Sequence, residues 1–357
     1  MNSAPKFSYA RVTALCATLG FASLASAQTT TVTTVPVGAI TVSVNAKSDQ
    51  RFGITQLRPV LCAGIVNNSP TTSISTSSPI PSLGSSQNFI RFTSGTAQGE
   101  WFQVVSYTGN SISVAENLQS FGVLAGDKFE VRPFWTLSSL FPGGGGIPLS
   151  SDVFNPKGLV FLNDPQSTGI NPSASAVYFY HDGTQGPAGW YNNNGTFANA
   201  DNVVIPHECP VTIRNMISQP ISASIVGDVP SVCVSNTVIA RSAGAQDNVI
   251  YNPYPCAITL SNSNLISSQA VRASSNVFSP KDLVLVYSSS STGYNSSAAS
   301  IYFYHDGSQG PAGWYNNNGT FASADSVQLQ PGAAFTIRKA GGASASNEWK
   351  PSLPYNL

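Results

Sequence analysis

One segment of this chain occurs twice. Residues 178–203 read YFYHDGTQGPAGWYNNNGTFANADNV, and residues 302–327 read YFYHDGSQGPAGWYNNNGTFASADSV. Three of the 26 positions differ, so 23 are identical at an offset of 124 residues. Looser matches extend the unit to residues 152–214 and 276–338. Two copies indicate paired domains or half-domains, because a solenoid needs three or more stacked units.

Each copy has the composition of β-structure. Residues 176–180 and 300–304 are rich in aromatic and β-branched side chains, which pleated sheets favour. Asn194-Gly195 predicts a hairpin turn that returns through residues 196–197. Short alternating segments also fill residues 28–140, and no sustained helical stripe is present. We therefore predict an all-β protein of short-stranded sandwich or small-barrel type.

The repeat divides the chain into two unequal tandem halves. Each half ends in one copy of the unit, and residues 246–248 loosely echo residues 48–50. We place the first half at residues 28–217 and the second half at residues 218–357. The glycine run at residues 143–146 is predicted to be a flexible joint before the first repeat unit.

The N-terminus has the pattern of a secretory signal peptide. Lys6 and Arg11 precede an apolar run over residues 12–24, and small residues follow up to Ala27. We predict that residues 1–27 are removed and that the mature chain is secreted or periplasmic; an uncleaved membrane anchor is the alternative. No later segment has 18 continuous apolar residues, so no membrane span is predicted in the mature chain.

Charge and motifs exclude several function classes. Only 9% of the residues are charged, and 16 Lys plus Arg balance 16 Asp plus Glu. A nucleic-acid binder needs a basic stripe to displace counterions from phosphate, and the chain has none. The sequence also lacks a Gly-x-Ser-x-Gly elbow, a His-Glu-x-x-His motif, a P-loop and a dinucleotide fingerprint. We predict no cofactor and no nucleic-acid partner.

Four cysteines remain after the predicted leader. In an oxidising compartment they can form disulfides, and four cysteines allow three pairings among which the sequence does not choose. Buried free thiols are the alternative. Zinc is not predicted, because no Cys-x-x-Cys spacing occurs. The four disulfide candidates are Cys62, Cys209, Cys233 and Cys256.

The histidines are the candidates for chemistry. His181-Asp182 and His305-Asp306 repeat a pairing that suits a general base or a metal site. Neighbouring residues on a strand point to opposite faces, so a turn role is the favoured interpretation. Residues 207–209 (His-Glu-Cys) bring three ligand types together, but the second repeat lacks them. We predict no catalytic residue and no metal site.

Glycan binding is the functional alternative. Flat aromatic rings stack on sugars, and nearby amides hydrogen-bond to hydroxyl groups. The repeat supplies both groups twice, although the same aromatic side chains are typical of a β-core. The candidate ligand-binding residues are Trp190, Tyr191, Asn192, Asn193, Trp314, Tyr315, Asn316 and Asn317.

Four stretches carry a resemblance to a known family. They are VPVGA at residues 35–39, AGDKF at residues 125–129, PFWTL at residues 133–137 and the closing segment at residues 331–338. In these stretches the chain resembles a family of uncharacterised exported β-repeat proteins of Verrucomicrobia-type bacteria. The resemblance implies export, bacterial origin and β-architecture. It implies no reaction, cofactor or catalytic residue.

These patterns lead to one expected function and two alternatives. We predict a secreted or periplasmic, non-enzymatic structural or surface β-protein, whose partners are extracellular glycans or cell-envelope components. The first alternative is a glycan-binding protein that uses the duplicated Trp-Tyr-Asn loops. The second alternative is a secreted hydrolase.

Overall fold

The computed structural model describes residues 35–342 and 346–356. The predicted signal peptide lies outside these residues. Within them the chain is almost entirely β-structure, so the predicted all-β class is confirmed. The described helices are one α-helical turn, α1 (Leu137–Leu140), and two 3₁₀ turns (Leu118–Phe121 and Pro142–Gly144). None of the described helices is long and apolar enough to cross a membrane.

The strands are short, as the spacing of the turn residues predicts. In chain order they are β1 (Val37–Val44), β2 (Ser48–Phe52), β3 (Cys62–Ile65), β4 (Ser73–Ser75), β5 (Asn88–Phe92), β6 (Trp101–Thr108), β7 (Ser111–Val114), β8 (Lys128–Pro133), β9 (Trp135–Thr136), β10 (Gly158–Leu162), β11 (Ala176–His181), β12 (Gly189–Asn192), β13 (Val204–Ile205), β14 (Val211–Asn215), β15 (Ile221–Asp228), β16 (Asn236–Val238), β17 (Gln246–Tyr251), β18 (Ile258–Thr259), β19 (Leu283–Val286), β20 (Ser300–His305), β21 (Gly313–Asn316), β22 (Gln328–Leu329), β23 (Ala334–Lys339) and β24 (Asn347–Trp349).

Two five-stranded antiparallel sheets carry the two copies of the repeat. The first has the order β12-β11-β10-β14-β2, and the second has the matching order β21-β20-β19-β23-β17. The register matches as well, because Tyr180 pairs with Trp190 and Tyr304 pairs with Trp314. Each sheet packs one face on its own hydrophobic core. Near-identical sequence has therefore produced two sheets with the same strand order.

A third sheet explains why the halves are unequal. Its six strands have the order β3-β8-β5-β6-β7-β4, and it lies along the chain between β2 and β9. In the second half the corresponding strands, β17 and β18, are separated only by residues 252–257. One face of the inserted sheet packs on its own core. The other face carries charged and aromatic side chains directed at the first half.

In each half the first and the last strand pair with each other. β1 and β15 pair antiparallel along their whole length, from Val37–Asp228 to Val44–Ile221. β16 and β24 make the corresponding pair around the second half. The predicted boundary between residues 217 and 218 therefore assigns the hydrogen-bonded strands β1 and β15 to different halves. Among the described residues β1 is the only strand that pairs with β15 in a sheet, so this ladder crosses the predicted boundary.

A loop of each half donates a hydrogen bond to an aspartate of the other half. Arg214 forms an ion pair with Asp49 (2.7 Å), and the backbone N–H of Asn295, from the other half, donates to Asp49 Oδ2 (2.8 Å). In the equivalent contact, the two halves exchange roles: Asn171 of the first half donates its backbone N–H to Asp247 of the second half (2.8 Å). Asp247 is itself paired with an arginine of the second half. Each half therefore contributes one loop and one arginine–aspartate pair to equivalent contacts with the other half.

Candidate functional site

The two tryptophans of the predicted glycan site are core residues. Trp190 and Trp314 are 0% and 2% exposed. Each packs edge-on against the tyrosine with which it pairs in register, with ring centroids 5.6 Å apart for Tyr180 and 5.5 Å apart for Tyr304. Neither indole can stack on a sugar. The predicted site therefore loses its largest side chains, because the sheet register points them into the core.

The remaining residues of that site brace the hairpin. The hydroxyl of Tyr191 donates to the carbonyl of Pro187, and Tyr315 donates to Pro311 in the same way, both at 2.9 Å. The predicted two-stranded return is replaced by isolated bridges at Tyr191 and Tyr315. The half-buried members of the predicted set are Tyr191, Asn192, Asn193, Tyr315, Asn316 and Asn317.

The histidine–aspartate pairs build turns. His181 and His305 are each 1% exposed, and Nδ1 of each ring accepts the backbone N–H two residues ahead (3.2 Å). Asp182 accepts the N–H and the hydroxyl of Thr184, and these hydrogen bonds lower the pKa of Asp182. In the second copy the His305 ring lies 4.0 Å from the Asp306 carboxylate, beyond hydrogen-bond distance. This arrangement gives each pair a structural role.

Residues 207–209 diverge in space. The ring of His207 stacks on Phe89, with centroids 5.5 Å apart. Glu208 accepts the indole N–H of Trp101 (3.1 Å). Cys209 is buried and donates its thiol to a backbone carbonyl. The three side chains therefore do not converge on one point.

The four cysteine candidates are free thiols. Burial raises the pKa of Cys62, Cys209, Cys233 and Cys256, and it raises that of Cys209 to about 12. Thiols with raised pKa values stay protonated and react slowly. Of the two alternatives that the sequence left open, the structure holds free thiols.

A duplicated aromatic cluster stands on the surface beside the repeat hairpin. Phe154 and Phe278 are 78% and 81% exposed, the highest values among large apolar side chains in the described part of the chain. Each ring meets a second phenylalanine edge-on at 5.4 Å, Phe197 in the first copy and Phe321 in the second. We call the Phe154–Phe197 and Phe278–Phe321 pairs the two aromatic platforms.

The platform loops are braced in the same way in both copies. The N–H of Phe154 donates to Asp152 Oδ1, and the N–H of Phe278 donates to Asn276 Oδ1, both at 2.9 Å. The side-chain oxygen of Gln185 accepts the backbone N–H of Val153. The corresponding glutamine and valine make the same contact in the second copy. These contacts hold the loop backbone that carries each exposed ring.

The inner rings of the platforms have an uncommon backbone conformation. Phe197 and Phe321 have φ angles of +50° and +51°, in the left-handed region that bulky residues rarely adopt. Residues held there cost of order 1–3 kcal/mol and concentrate at functional sites. Each inner ring also packs on a core phenylalanine, 6.2 Å away in both copies. The packing contact with the core offsets part of that cost.

The sequence contained a signal for the platforms that the Trp-Tyr-Asn interpretation did not use. Phe154 and Phe278 are aligned at the repeat offset of 124, and each is a lone aromatic residue followed within two positions by proline. A turn-forming environment places such a residue on the surface. Exposure could not be assigned to them from periodicity alone.

A second cluster joins the inserted sheet to both halves. Glu100 of the inserted sheet and Glu348 of β24 approach the same hydroxyl, Ser235 Oγ, at 3.2 and 3.0 Å. Lys350 neutralises Glu100 at 2.5 Å. One hydroxyl has one proton, so it cannot donate to both carboxylates at once. We call Glu100, Glu208 and Glu348 the acidic junction.

Burial, with the neighbouring carboxylates adding to it, changes the ionisation of these acids. Burial, followed by the charges of Glu348 and Glu100, raises the pKa of Glu208 to about 8. Burial also raises the pKa of Glu348, with Glu100 adding to the effect. The neighbouring His207 has its pKa lowered to about 3 by burial and by two arginines. At neutral pH the junction therefore holds a protonated glutamic acid and a neutral histidine.

A protonated glutamic acid beside carboxylates is also what a general acid requires. The cavity beside His207, lined by Phe89 and Phe134 among others, has a volume of only about 10 Å³. A space of that size accommodates about one water molecule. None of the three junction glutamates lines this cavity. Glu100 and Glu348 approach the hydroxyl of Ser235, so the junction is a contact between parts of the fold.

We expect the free energy of unfolding to fall as the pH rises from about 4.5 to about 8, because in this range Glu208 is ionised in the unfolded chain but protonated in the folded protein. Folded Glu208 keeps its proton up to about pH 8, whereas in the unfolded chain it ionises near pH 4.5. The folded state then binds more protons, so raising the pH favours unfolding. Glu208→Gln removes the pH dependence that Glu208 contributes. Between pH 5 and pH 8 the free energy of unfolding of this variant should exceed that of the wild type by about 1–3 kcal/mol.

Urea denaturation at a series of pH values measures this difference. The control is Glu116→Gln, at an exposed position, which should follow the wild type at every pH. A Glu208→Gln profile parallel to the wild type would show that Glu208 ionises normally.

No protein-family model, curated protein or solved structure matches this chain. The family resemblance and the bacterial origin inferred from the sequence stay predictions.

Proposed function

We propose that this protein is a secreted or periplasmic, non-enzymatic structural or surface β-protein that works by binding through its two aromatic platforms. The observation that carries the proposal is the pair of braced, exposed rings, Phe154 and Phe278. Burying an exposed phenylalanine on a partner gains about 1.5–3 kcal/mol per ring. Two equivalent sites on one chain add avidity when both engage.

The alternative of a hydrolase receives less support. Asp182 and Asp306 accept hydrogen bonds from turn residues. The other acids common to both copies, Asp201 and Asp325, accept the backbone N–H of Trp190 and of Trp314. Their histidine neighbours are buried and occupied by turn N–H groups. Export is supported by the N-terminal sequence pattern, and the partners proposed on that basis are extracellular glycans or cell-envelope components.

The Phe154→Ala/Phe278→Ala double variant tests the proposal. In sedimentation with insoluble bacterial envelope fractions and extracellular polysaccharides, we expect the wild type to co-sediment and the double variant to lose at least about tenfold in apparent affinity. Val105→Ala/Leu124→Ala is the matched control, because it removes two other exposed apolar side chains (64% and 62%), one in β6 and one in the loop before β8.

Equal retention of the double variant and the wild type would contradict the proposal. So would a wild type that binds none of these materials. A reproducible hydrolase activity that is lost in Asp182→Asn/Asp306→Asn would replace it with the enzyme alternative.

A further inference from the structure

We infer that the ligand of the two aromatic platforms is a neutral glycan, bound once at each platform. This inference rests on the proposed function and specifies its ligand class. It moves the sugar-binding surface from the buried tryptophans to Phe154 and Phe278. The argument depends on three properties of the platforms: their charge, their polar rim and their size.

A comparison of the two copies identifies the charge of the ligand. The backbone N–H of the outer phenylalanine donates to Asp152 in the first copy and to Asn276 in the second, at 2.9 Å in both. A ligand recognised by both platforms cannot depend on a charge at this position. The charged residues that both copies of the repeat unit share balance: the acids are Asp182 and Asp201 with Asp306 and Asp325, and the bases are Lys157 and Arg214 with Lys281 and Arg338. A neutral ligand fits both copies.

The rim of each platform is rich in amide groups. Gln185 and Gln309 use their side-chain oxygens to accept a backbone N–H, so the –NH₂ group of each exposed amide remains directed at solvent. Asn194 and Asn318, three residues from the inner rings, use their oxygens in the same way toward a threonine. Amide donors around an apolar ring match the hydroxyl rim and the C–H face of a pyranose.

The size and surroundings of the platforms argue against two other partners. A stable protein interface buries about 1,200–2,000 Å², far more than two phenylalanine rings present. Insertion into a bilayer would bury the adjacent polar side chains, such as Asn155 and Ser279, which are exposed here. A sugar ring covers one phenylalanine face and leaves those side chains in water.

Isothermal titration with defined oligosaccharides tests the inference. The probes are neutral hexasaccharides of glucose, of mannose and of N-acetylglucosamine, with a sulfated oligosaccharide as the charged comparison. We expect at least one neutral probe to bind with two sites per chain. Phe154→Ala and Phe278→Ala should each leave one site, and the double variant should leave none. Phe154→Tyr should keep both sites, because an aromatic face is retained.

Asp152→Asn is the control for charge. It removes the charge and the oxygen that accepts the Asn155 amide (2.6 Å) but keeps the oxygen that accepts the Phe154 N–H, as Asn276 does for Phe278. Affinity for the neutral probe should therefore change by less than about twofold, well under 1 kcal/mol. Preference for the sulfated probe at both platforms, or binding that depends on the Asp152 charge, would overturn the inference.

A parallel titration with vesicles of phosphatidylglycerol and phosphatidylethanolamine separates the two proposals. If binding to envelope material needs Phe154 and Phe278, but vesicles bind and no neutral oligosaccharide does, the glycan inference fails while the proposed function stands. If neither oligosaccharides, vesicles nor envelope fractions bind, both fail. Binding of oligosaccharide that is unchanged in the double variant would place the sugar site elsewhere and overturn the inference.

Discussion

Replacing Glu130 with alanine should destabilise this protein by about 3–5 kcal/mol, because it leaves two buried arginines with too little negative charge. Glu130 Oε1 lies 2.6 Å from Arg91 and 2.7 Å from Arg132. Arg91 is fully buried, and Arg132 is 2% exposed. Asp228 of β15 is the other acid of this network, at 2.7 Å from Arg132. Without Glu130 the network has two cations and one anion.

Chemical denaturation at pH 7 measures the effect, with Glu116→Ala at an exposed site as the control. The Arg91→Leu/Glu130→Leu double variant should be less destabilised than the sum of its two single variants, because it removes opposite charges together. Additive losses, or a cost below about 1 kcal/mol for Glu130→Ala, would contradict a coupled buried network.

The same network predicts a response to acid. Burial alone would raise the pKa of Glu130, but the two guanidiniums outweigh burial and lower its pKa. Its contribution is therefore present above the unfolded pKa near 4.5 and is lost as the pH falls through the lower folded value. The wild type should lose more stability than Glu130→Gln on acidification below pH 4.5.

Gly53→Ala should be the second severe change, with a cost of about 3 kcal/mol. Gly53 follows β2, and a Cβ added there would overlap the ring of Tyr251. That ring has little freedom to move, because it is 1% exposed and its hydroxyl donates to the carbonyl of His207. The Gly53 N–H also donates to the Gly332 carbonyl (2.8 Å), which fixes the backbone.

Thermal unfolding of Gly53→Ala beside Gly186→Ala and Gly310→Ala measures this cost. Both control glycines lack a positive φ and have no heavy atom within 4 Å of an added Cβ, so these changes should stay within about 0.5 kcal/mol. If Gly53→Ala has an equally small effect, the Tyr251 ring moves away from the added Cβ at little cost, which contradicts the prediction.

The repeated sequence predicted much of this fold. Near-identity over 26 residues, rich in aromatic and β-branched side chains, implied two copies of one β-unit, and the two sheets have one strand order and register. A strand pattern depends on local alternation, which the sequence displays directly. The half boundary was harder to place, because β15 finds its partner more than 170 residues away, in β1.

Local composition did not decide two features. The glycine run at residues 143–146 predicted a flexible joint, but the adjoining Phe141 is fully buried and contacts Trp190. Trp190 and Trp314 belong to the glycan-binding alternative, because tryptophan and tyrosine beside asparagine suit sugars, but the same side chains are typical of a β-core, and the structure buries both. Which of two alternating faces meets the core depends on the neighbouring strands and on what packs against them.

The sequence by itself determined the β class, the duplication, the low charge and the absence of familiar catalytic motifs. Those properties depend on composition and on spacing along the chain. Only the tertiary structure decided which aromatic rings reach solvent and which carboxylates meet. Exposure of Phe154 and Phe278, and the convergence of Glu100, Glu208 and Glu348, depend on contacts between segments far apart in sequence. Local periodicity contains no information on such contacts, because they form only when the three sheets pack together.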